Sequence, residues 1–106
     1  MRMWMLPPRQ MCRKHLLGEH VEIHMAAASL RLGKNLEGFL ERGLLELGKL
    51  RRRHDALAAE MLRRGYRHNS PLPVVNGVRR GKVDLGKSAR DLRARCKDCR
   101  ELLSAS

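Results

Sequence analysis

The sequence predicts an all-α fold, a single compact domain of about three main helices behind an extended N-terminal arm. Three observations support this class. Apolar residues recur with the helical period, glycines stand where these periodic segments stop, and no pair of alternating segments indicates a β-hairpin. A length of 106 residues suits one hydrophobic core but not two, so we expect one domain over 1–106.

The first eight residues are predicted to form the arm. Pro7-Pro8 disfavours a helix before it and permits one to start at Arg9. Helix one should therefore run from about Arg9 to Leu32 and stop at Gly33. Its expected core face consists of apolar residues that share one side of the helix: Leu17, Val21, Met25, Ala28 and Leu32.

The remaining elements follow from glycine positions and apolar periodicity. Glycines around the apolar stretch within 36–45 allow only one or two helical turns there. A second helix is predicted over about 47–64, with Gly65 as its stop. The segment 66–83 is rich in Asn, Pro, Gly and Arg and should be a long loop. A third helix should cover about 84–103. The expected buried positions are Leu50, Leu57, Met61 and Leu62 in the second helix, and Leu85, Ala89, Leu92 and Cys96 in the third.

The charge balance indicates the kind of partner. The chain has 23 Lys and Arg against 11 Asp and Glu, a formal net charge of +12. This excess predicts a polyanion, and nucleic acid is the natural one because its phosphates bind basic side chains. No apolar run approaches the roughly 18 residues of a spanning helix, so we expect no membrane role. Without a secretory signal or an even set of cysteines, we expect a monomeric cytoplasmic protein with reduced thiols.

The segment 14–24 concentrates ionisable side chains on helix one. His15, Glu19 and Glu22 fall within about 60° of one another around a helix, and we expect this polar stripe to point away from the core. Two carboxylates beside a histidine suit general acid or base catalysis, or metal binding. An ordinary solvated helix face is the alternative.

Two further groups have spacings found in metal sites. His20 and His24 are separated by one helical turn but have no evident third ligand. Cys96-Lys97-Asp98-Cys99 has zinc-like spacing, but a structural zinc site needs four ligands and Cys12 is distant in sequence. We therefore expect structural roles for the cysteines, with no metal and no cofactor.

Several short motifs, taken in their order and spacing, resemble one known family. They are Met1-Arg2, the segment 11–25, Arg53-His54-Asp55, the run Arg63-Arg64-Gly65-Tyr66 and Ser70-Pro71-Leu72. In these the chain resembles the endonuclease V-like pyrimidine-dimer DNA glycosylases with abasic-site lyase activity, in a compact branch found in phages and bacteria. The resemblance is good over about the first seventy residues and loose in the C-terminal helix.

The resemblance implies that the α-amine of the first residue attacks C1′ of the damaged nucleotide's sugar. Met1 occupies the position of that nucleophile, and Glu22 matches the essential carboxylate. Arg2 matches a phosphate-binding arginine and His15 a histidine that supports the site, while Glu19 is expected to act indirectly. Independently of the family, an α-amino group has a pKa of about 7.7–8.0 against about 10.4 for lysine, so a usable fraction is neutral near pH 7.

The chain departs from the family pattern beside the essential carboxylate. Where the founding enzyme has arginines immediately before it and three residues after it, this chain has Val21 and Met25. We therefore expect phosphate contacts from other basic residues near the site. The candidates are His20 and His24, or Arg13 and Lys14.

The leading prediction is a metal-independent glycosylase and abasic-site lyase that acts on damaged double-stranded DNA, with pyrimidine dimers as the expected lesion. Two alternatives of other classes stay open. One is a non-catalytic, basic nucleic-acid-binding protein. The other is a metal-dependent nuclease that uses His15, Glu19 and Glu22.

Overall fold

Helices account for all the regular structure in residues 1–73 and 78–105, which the computed structural model describes. No strand occurs in these two ranges, so the all-α prediction is confirmed. None of the described helices is long and apolar enough to cross a bilayer. In chain order the α-helices are α1 (Arg13–Arg31), α2 (Glu37–Glu41), α3 (Leu50–Arg63), α4 (Leu85–Arg95) and α5 (Lys97–Ser104).

Helix α1 starts at Arg13 rather than at the predicted Arg9. Residues Pro8–Gln10 form a 3-10 turn instead, and extended backbone at Met11 and Cys12 separates this turn from the helix. The break lets the Met11 side chain enter the core, where it is fully buried. The proline signal therefore marks a turn that leads into the helix, not the helix itself.

The third predicted helix is divided into α4 and α5. Cys96 has extended backbone, with φ −133° and ψ 114°, and its Sγ accepts a hydrogen bond from the Cys99 amide at the start of α5. Asp84 caps α4 through its side chain. The loop predicted at 66–83 contains no helix in its described residues, and positions 74–77 lie outside the described part of the chain.

The core lies between α1 and α3. Leu16 and Ile23 of α1 and Leu57 of α3 are fully buried, each stabilising the fold by about 1.5–3 kcal/mol. The N-terminal arm belongs to the core, and it is not extended throughout as predicted, because Met5 has a positive φ of 59° and Pro8 starts the 3-10 turn. Its Met3 amide donates a hydrogen bond to the Leu44 carbonyl at 2.8 Å. The buried side chains of the arm include Met3, Trp4 and Leu6. The position of the first residues is therefore fixed by packing.

The inward face of α1 is not the one that the apolar pattern predicts. Val21 is 56% exposed and Leu32 is 71% exposed. Of the other expected core residues, Met25 and Ala28 are exposed and Leu17 is half-buried. The residues of α1 that are buried instead are Leu16, Glu19, His20, Ile23, Ala26 and Ala27.

An ion pair explains why this other face of α1 is buried. Arg53 of α3 donates hydrogen bonds from Nε and Nη2 to the two carboxylate oxygens of Glu19, at 2.6 and 2.8 Å. Glu19 is only 1% exposed. A charge can be buried when an opposite charge and hydrogen bonds compensate for its lost hydration. The prediction that both helix-one carboxylates point away from the core is therefore wrong for Glu19.

Two other expected core residues are exposed. Leu62 is 59% exposed and Leu85 is 54% exposed. At 100° per residue, Leu62 lies about 140° around α3 from the buried Leu57, so it faces solvent. Leu85 begins α4 at the outer end of the helix, whereas Leu92, two turns further on, is fully buried.

Replacing Arg53 should destabilise the protein strongly. We expect Arg53→Met to lower the free energy of unfolding by about 3–5 kcal/mol, because Glu19 would keep a buried charge without its partner. Urea unfolding followed by circular dichroism measures the change. Arg52→Met is the matched control, since Arg52 is exposed on the same helix and should change the value by no more than about 0.5 kcal/mol. Equal effects of the two substitutions would contradict the role of the ion pair.

Candidate active site

An open pocket of about 510 Å³ lies where the arm, α1 and the end of α4 meet. Glu19 and Glu22 supply its acidic groups. Basic side chains from three segments line it as well: Arg2 from the arm, Lys14 from α1 and Arg95 from α4. The pocket therefore combines carboxylates with cations that can face an anionic ligand.

The start of the chain lies close to Glu22, which lines this pocket. The backbone amide of Arg2 and the Met1 ammonium are both near enough to the Glu22 carboxylate to favour its charged form. Burial raises the pKa of Glu22 above the ordinary glutamate value; the Met1 ammonium opposes that rise, and the nearby Glu19 carboxylate adds to it. The N-terminal amine is thus within electrostatic range of a carboxylate that lines an accessible cavity.

Arg2 is held by contacts on two sides. Its Nη2 lies 3.0 Å from Oδ2 of Asp91 on α4, and its guanidinium lies 3.9 Å from the centroid of the Trp4 ring. The Arg2 guanidinium hydrogen bond holds the pKa of Asp91 below its usual range. These contacts tie the arm to α4, and the role expected for Arg2 as a phosphate ligand stays a prediction.

His15 borders the same pocket but contacts thiols. Its Nδ1 lies 3.2 Å from Cys12 Sγ and 3.6 Å from Cys99 Sγ. His15 also contacts Trp4: the two rings pack edge to face, with their centroids 5.9 Å apart. Burial lowers the pKa of His15, and the positive charges of Lys14 and Arg95 lower it further.

The predicted basic residues near the N-terminus of α1 are exposed. Lys14 lines the pocket, whereas Arg13 places its guanidinium 4.9 Å from the centroid of the Tyr66 ring outside it. Arg95 was not among the predicted site residues. It reaches the pocket from α4, and only the packing of α4 against the arm brings it there. The sequence pattern also did not identify Arg53 as the partner of Glu19, because a buried cation is required only if Glu19 itself is buried.

His20 and His24 lie on another side of α1, about 140° and 180° around the helix from His15. There they meet His54 of α3 and His68 of the following loop, with ring centroids 4.8 to 5.1 Å apart. His20 is buried, and burial with the three neighbouring imidazoles lowers its pKa to about 4. His20 and His24, predicted as DNA-binding residues, therefore face the other histidines and do not line the pocket.

In the described part of the chain, two groups of side chains have a geometry that could hold a metal ion. In each group the ligand atoms lie within 4.8 Å of one another. The groups are Cys12, His15, Cys96 and Cys99, and His20, His54 and His68. The expectation that Cys12 is too distant to join Cys96 and Cys99 is wrong, because the fold brings Cys12 Sγ to 3.8 Å from Cys96 Sγ.

The fold and the pocket define a small, basic, all-helical protein with a carboxylate next to its own N-terminal amine. The family model described as pyrimidine dimer DNA glycosylase matches residues 1–74. The chain belongs to this family, as its motifs predict, and membership implies a DNA glycosylase that acts on pyrimidine dimers in DNA. Neither a curated protein nor a solved structure matches the chain significantly. Helices α4 and α5 lie beyond the matched residues.

The position of the Met1 ammonium can be tested through Glu22. Acetylation of the N-terminus removes the positive charge that lowers the pKa of Glu22, so this pKa should rise further in the acetylated protein. Carbon-13 NMR of the glutamate carboxyl groups across a pH titration measures it. The internal control is Glu37, which is on α2: its pKa is lowered by the hydrogen bond from Arg80 and not by the N-terminus, so acetylation should leave it unchanged. An unchanged titration of Glu22 would show that the amine is distant from it.

Proposed function

We propose that the protein is a DNA glycosylase that also cleaves the strand at the resulting abasic site. Its substrate is damaged double-stranded DNA, with a pyrimidine dimer as the preferred lesion. The covalent intermediate is an imine between the Met1 α-amine and C1′ of the deoxyribose. The observation that carries this proposal is the electrostatic coupling of the Met1 ammonium to Glu22, since Glu22 and the adjacent Arg2 line an open pocket with basic walls.

The reaction begins with the neutral amine. Its nitrogen forms a bond to C1′ while the glycosidic bond breaks, and the base leaves with the bonding electron pair and takes up a proton. Loss of a proton from nitrogen and opening of the sugar ring give a protonated imine. Glu22, next to this amine, stabilises cationic sugar character and accepts or returns protons.

Strand cleavage follows from the electron demand of the protonated imine. The imine acidifies the C2′ hydrogen, and removal of this proton expels the 3′ phosphate by β-elimination. Water then hydrolyses the imine and releases the amine for another cycle. Every covalent step uses the amine, the sugar and water, so the proposed chemistry requires no metal or cofactor.

The pocket walls suggest how DNA binds. Lys14 and Arg95 are exposed cations on the rim and are suited to phosphates, with Arg13 close by on α1. Arg2 lines the same pocket, and a phosphate there would compete with Asp91 for its guanidinium. Val21, 56% exposed on the rim, offers an apolar contact to a displaced base. One chain supplies all these groups, so we propose that it acts as a monomer.

The geometry gives little support to a metal-dependent nuclease built on His15, Glu19 and Glu22. Both carboxylate oxygens of Glu19 accept hydrogen bonds from Arg53. His15 Nδ1 faces two cysteine sulfurs rather than the glutamates. Among the described residues, the groups with metal-ligand geometry contain neither Glu19 nor Glu22.

Borohydride trapping tests the imine directly. We expect sodium borohydride to convert the protein and dimer-containing duplex DNA into a permanent adduct, seen as a slower band on a denaturing gel. Peptide mass spectrometry of the adduct should place the sugar on the first residue. N-terminally acetylated protein should give no adduct while it still binds the duplex. A trapped adduct on a lysine side chain, or cleavage by the acetylated protein, would remove Met1 from the mechanism.

Replacing Glu22 should separate catalysis from binding. Glu22→Gln keeps the shape of the side chain but loses the charge and the proton acceptor, so the single-turnover rate of strand cleavage at the dimer should fall by about 10²–10⁴-fold. The affinity for the damaged duplex, measured by fluorescence anisotropy, should change only a few-fold. Glu41→Gln makes the same charge change at an exposed position and should leave both values unaltered. Near-normal turnover of Glu22→Gln would favour a non-catalytic, solvated role for this glutamate.

A further inference from the structure

Two short segments with the same ligand spacing meet at the start of α1. Cys12 and His15 are three residues apart, and so are Cys96 and Cys99. The first residue of each pair is a cysteine that is also the N-cap residue of a helix, Cys12 for α1 and Cys96 for α5. The second residue of each pair therefore lies on the first turn of that helix. The two pairs therefore have the same position relative to their helices, although Cys12 and Cys96 are 84 residues apart in sequence.

Two of the distances among the four ligand atoms equal those of a tetrahedral zinc site, and a third is shorter by about 0.4 Å. Zinc bonds of about 2.3 Å to sulfur and 2.0–2.1 Å to nitrogen place two sulfurs about 3.8 Å apart, and a sulfur about 3.6 Å from a nitrogen. Cys12 Sγ and Cys96 Sγ are 3.8 Å apart. His15 Nδ1 lies 3.6 Å from Cys99 Sγ and 3.2 Å from Cys12 Sγ. All four atoms lie within 4.8 Å of one another.

Backbone amides support the sulfurs of this cluster. The Cys12 amide donates to Cys99 Sγ at 3.3 Å, and the Cys99 amide donates to Cys96 Sγ at 3.4 Å. Such donors stabilise negative charge on a sulfur ligand and fix its direction. Cys99 is fully buried and the other three residues are half-buried, so the cluster is largely closed to water.

We propose that Cys12, His15, Cys96 and Cys99 bind one structural Zn²⁺. Three thiolates and one imidazole are a ligand set that zinc favours, and four protein ligands leave no position for a substrate. This proposal replaces the expectation of a metal-free protein. It goes beyond the proposed glycosylase and lyase activity, which uses none of the three cysteines.

The metal would connect the C-terminal helix α5 to the N-terminal part of the protein. It would link α5 to the start of α1, and through the Trp4–His15 ring contact it would steady the arm that carries Met1. Cys96 and Cys99 lie outside the residues that the family model matches. A small domain gains folding free energy from such a site because the unfolded chain does not hold the ligands together.

Metal content and cobalt spectroscopy test the proposal on the full chain. Protein purified under reducing conditions and offered Zn²⁺ should retain one equivalent after gel filtration, measured by inductively coupled plasma mass spectrometry. Co²⁺ in place of Zn²⁺ should give the visible bands of tetrahedral cobalt and a near-ultraviolet thiolate-to-cobalt charge-transfer band. Folded protein that retains no Zn²⁺, or Co²⁺ without the thiolate band, would overturn the proposal.

Paired variants separate this cluster from the histidine group His20, His54 and His68. Cys96→Ser should weaken the thiolate-to-cobalt band, because one of three thiolates is lost, and lower Zn²⁺ affinity by more than the roughly 10–100-fold typical of losing a supporting group. His20→Gln changes the histidine group alone and should leave both readouts unchanged. If Cys96→Ser keeps full affinity while His20→Gln loses it, the metal belongs to the histidines and the proposal fails.

A measurement on the wild type keeps the test valid if Cys96→Ser does not fold. A mercurial reagent that titrates thiols should release Zn²⁺ in step with modification of the three cysteines, and the released metal can be followed with a colorimetric indicator. Release should be complete once all three have reacted. Retention of Zn²⁺ by the fully modified protein would show that the cysteines do not bind it.

Discussion

The buried ion pair between Glu19 and Arg53 determines how α1 faces the rest of the protein. A carboxylate that is 1% exposed is tolerated only with a cation that satisfies both oxygens, and Arg53 does so through two hydrogen bonds. The same guanidinium reaches the sulfur of Met11 at 3.4 Å, next to the start of the helix. With Glu19 directed inward, Glu22 one turn later lies at the edge of the core, where it lines the pocket.

The N-terminal arm is unusual because the first residues of most domains are poorly ordered. Here the Met3 backbone bonds to Leu44, and Arg2 pairs with Asp91 while it covers Trp4. These contacts offset the entropy that a free end would gain. The proposed attack of the Met1 amine on a sugar carbon would benefit from this restraint, because a nucleophile reacts faster when its position is fixed before the substrate binds. The packing of the arm and the proposed chemistry therefore require the same structure.

The C-terminal helices complete the site although they lie outside the family match. Helix α4 contributes Asp91, which holds Arg2, and Arg95, which lines the pocket. Helix α5 starts at the cysteine cluster that borders His15. A metal there would stabilise a region where α1, α5 and, through Trp4, the arm are in contact. The proposed zinc site and the proposed active site are thus adjacent but chemically separate.

The sequence by itself determined the all-helical class, the family and several of the residues that line the pocket, among them Arg2, His15 and Glu22. Gly33 and Gly65 end α1 and α3 with positive φ, and the order of short motifs indicated the family that residues 1–74 match. These features depend on local backbone preference or on residue order. The tertiary structure alone decided which face of α1 is buried, where the C-terminal helix breaks at Cys96, and that Cys12 lies close to Cys96 and Cys99. An apolar pattern describes each helix in isolation, whereas buried charge pairs and shared ligands depend on residues that are distant in sequence and meet only in the folded chain.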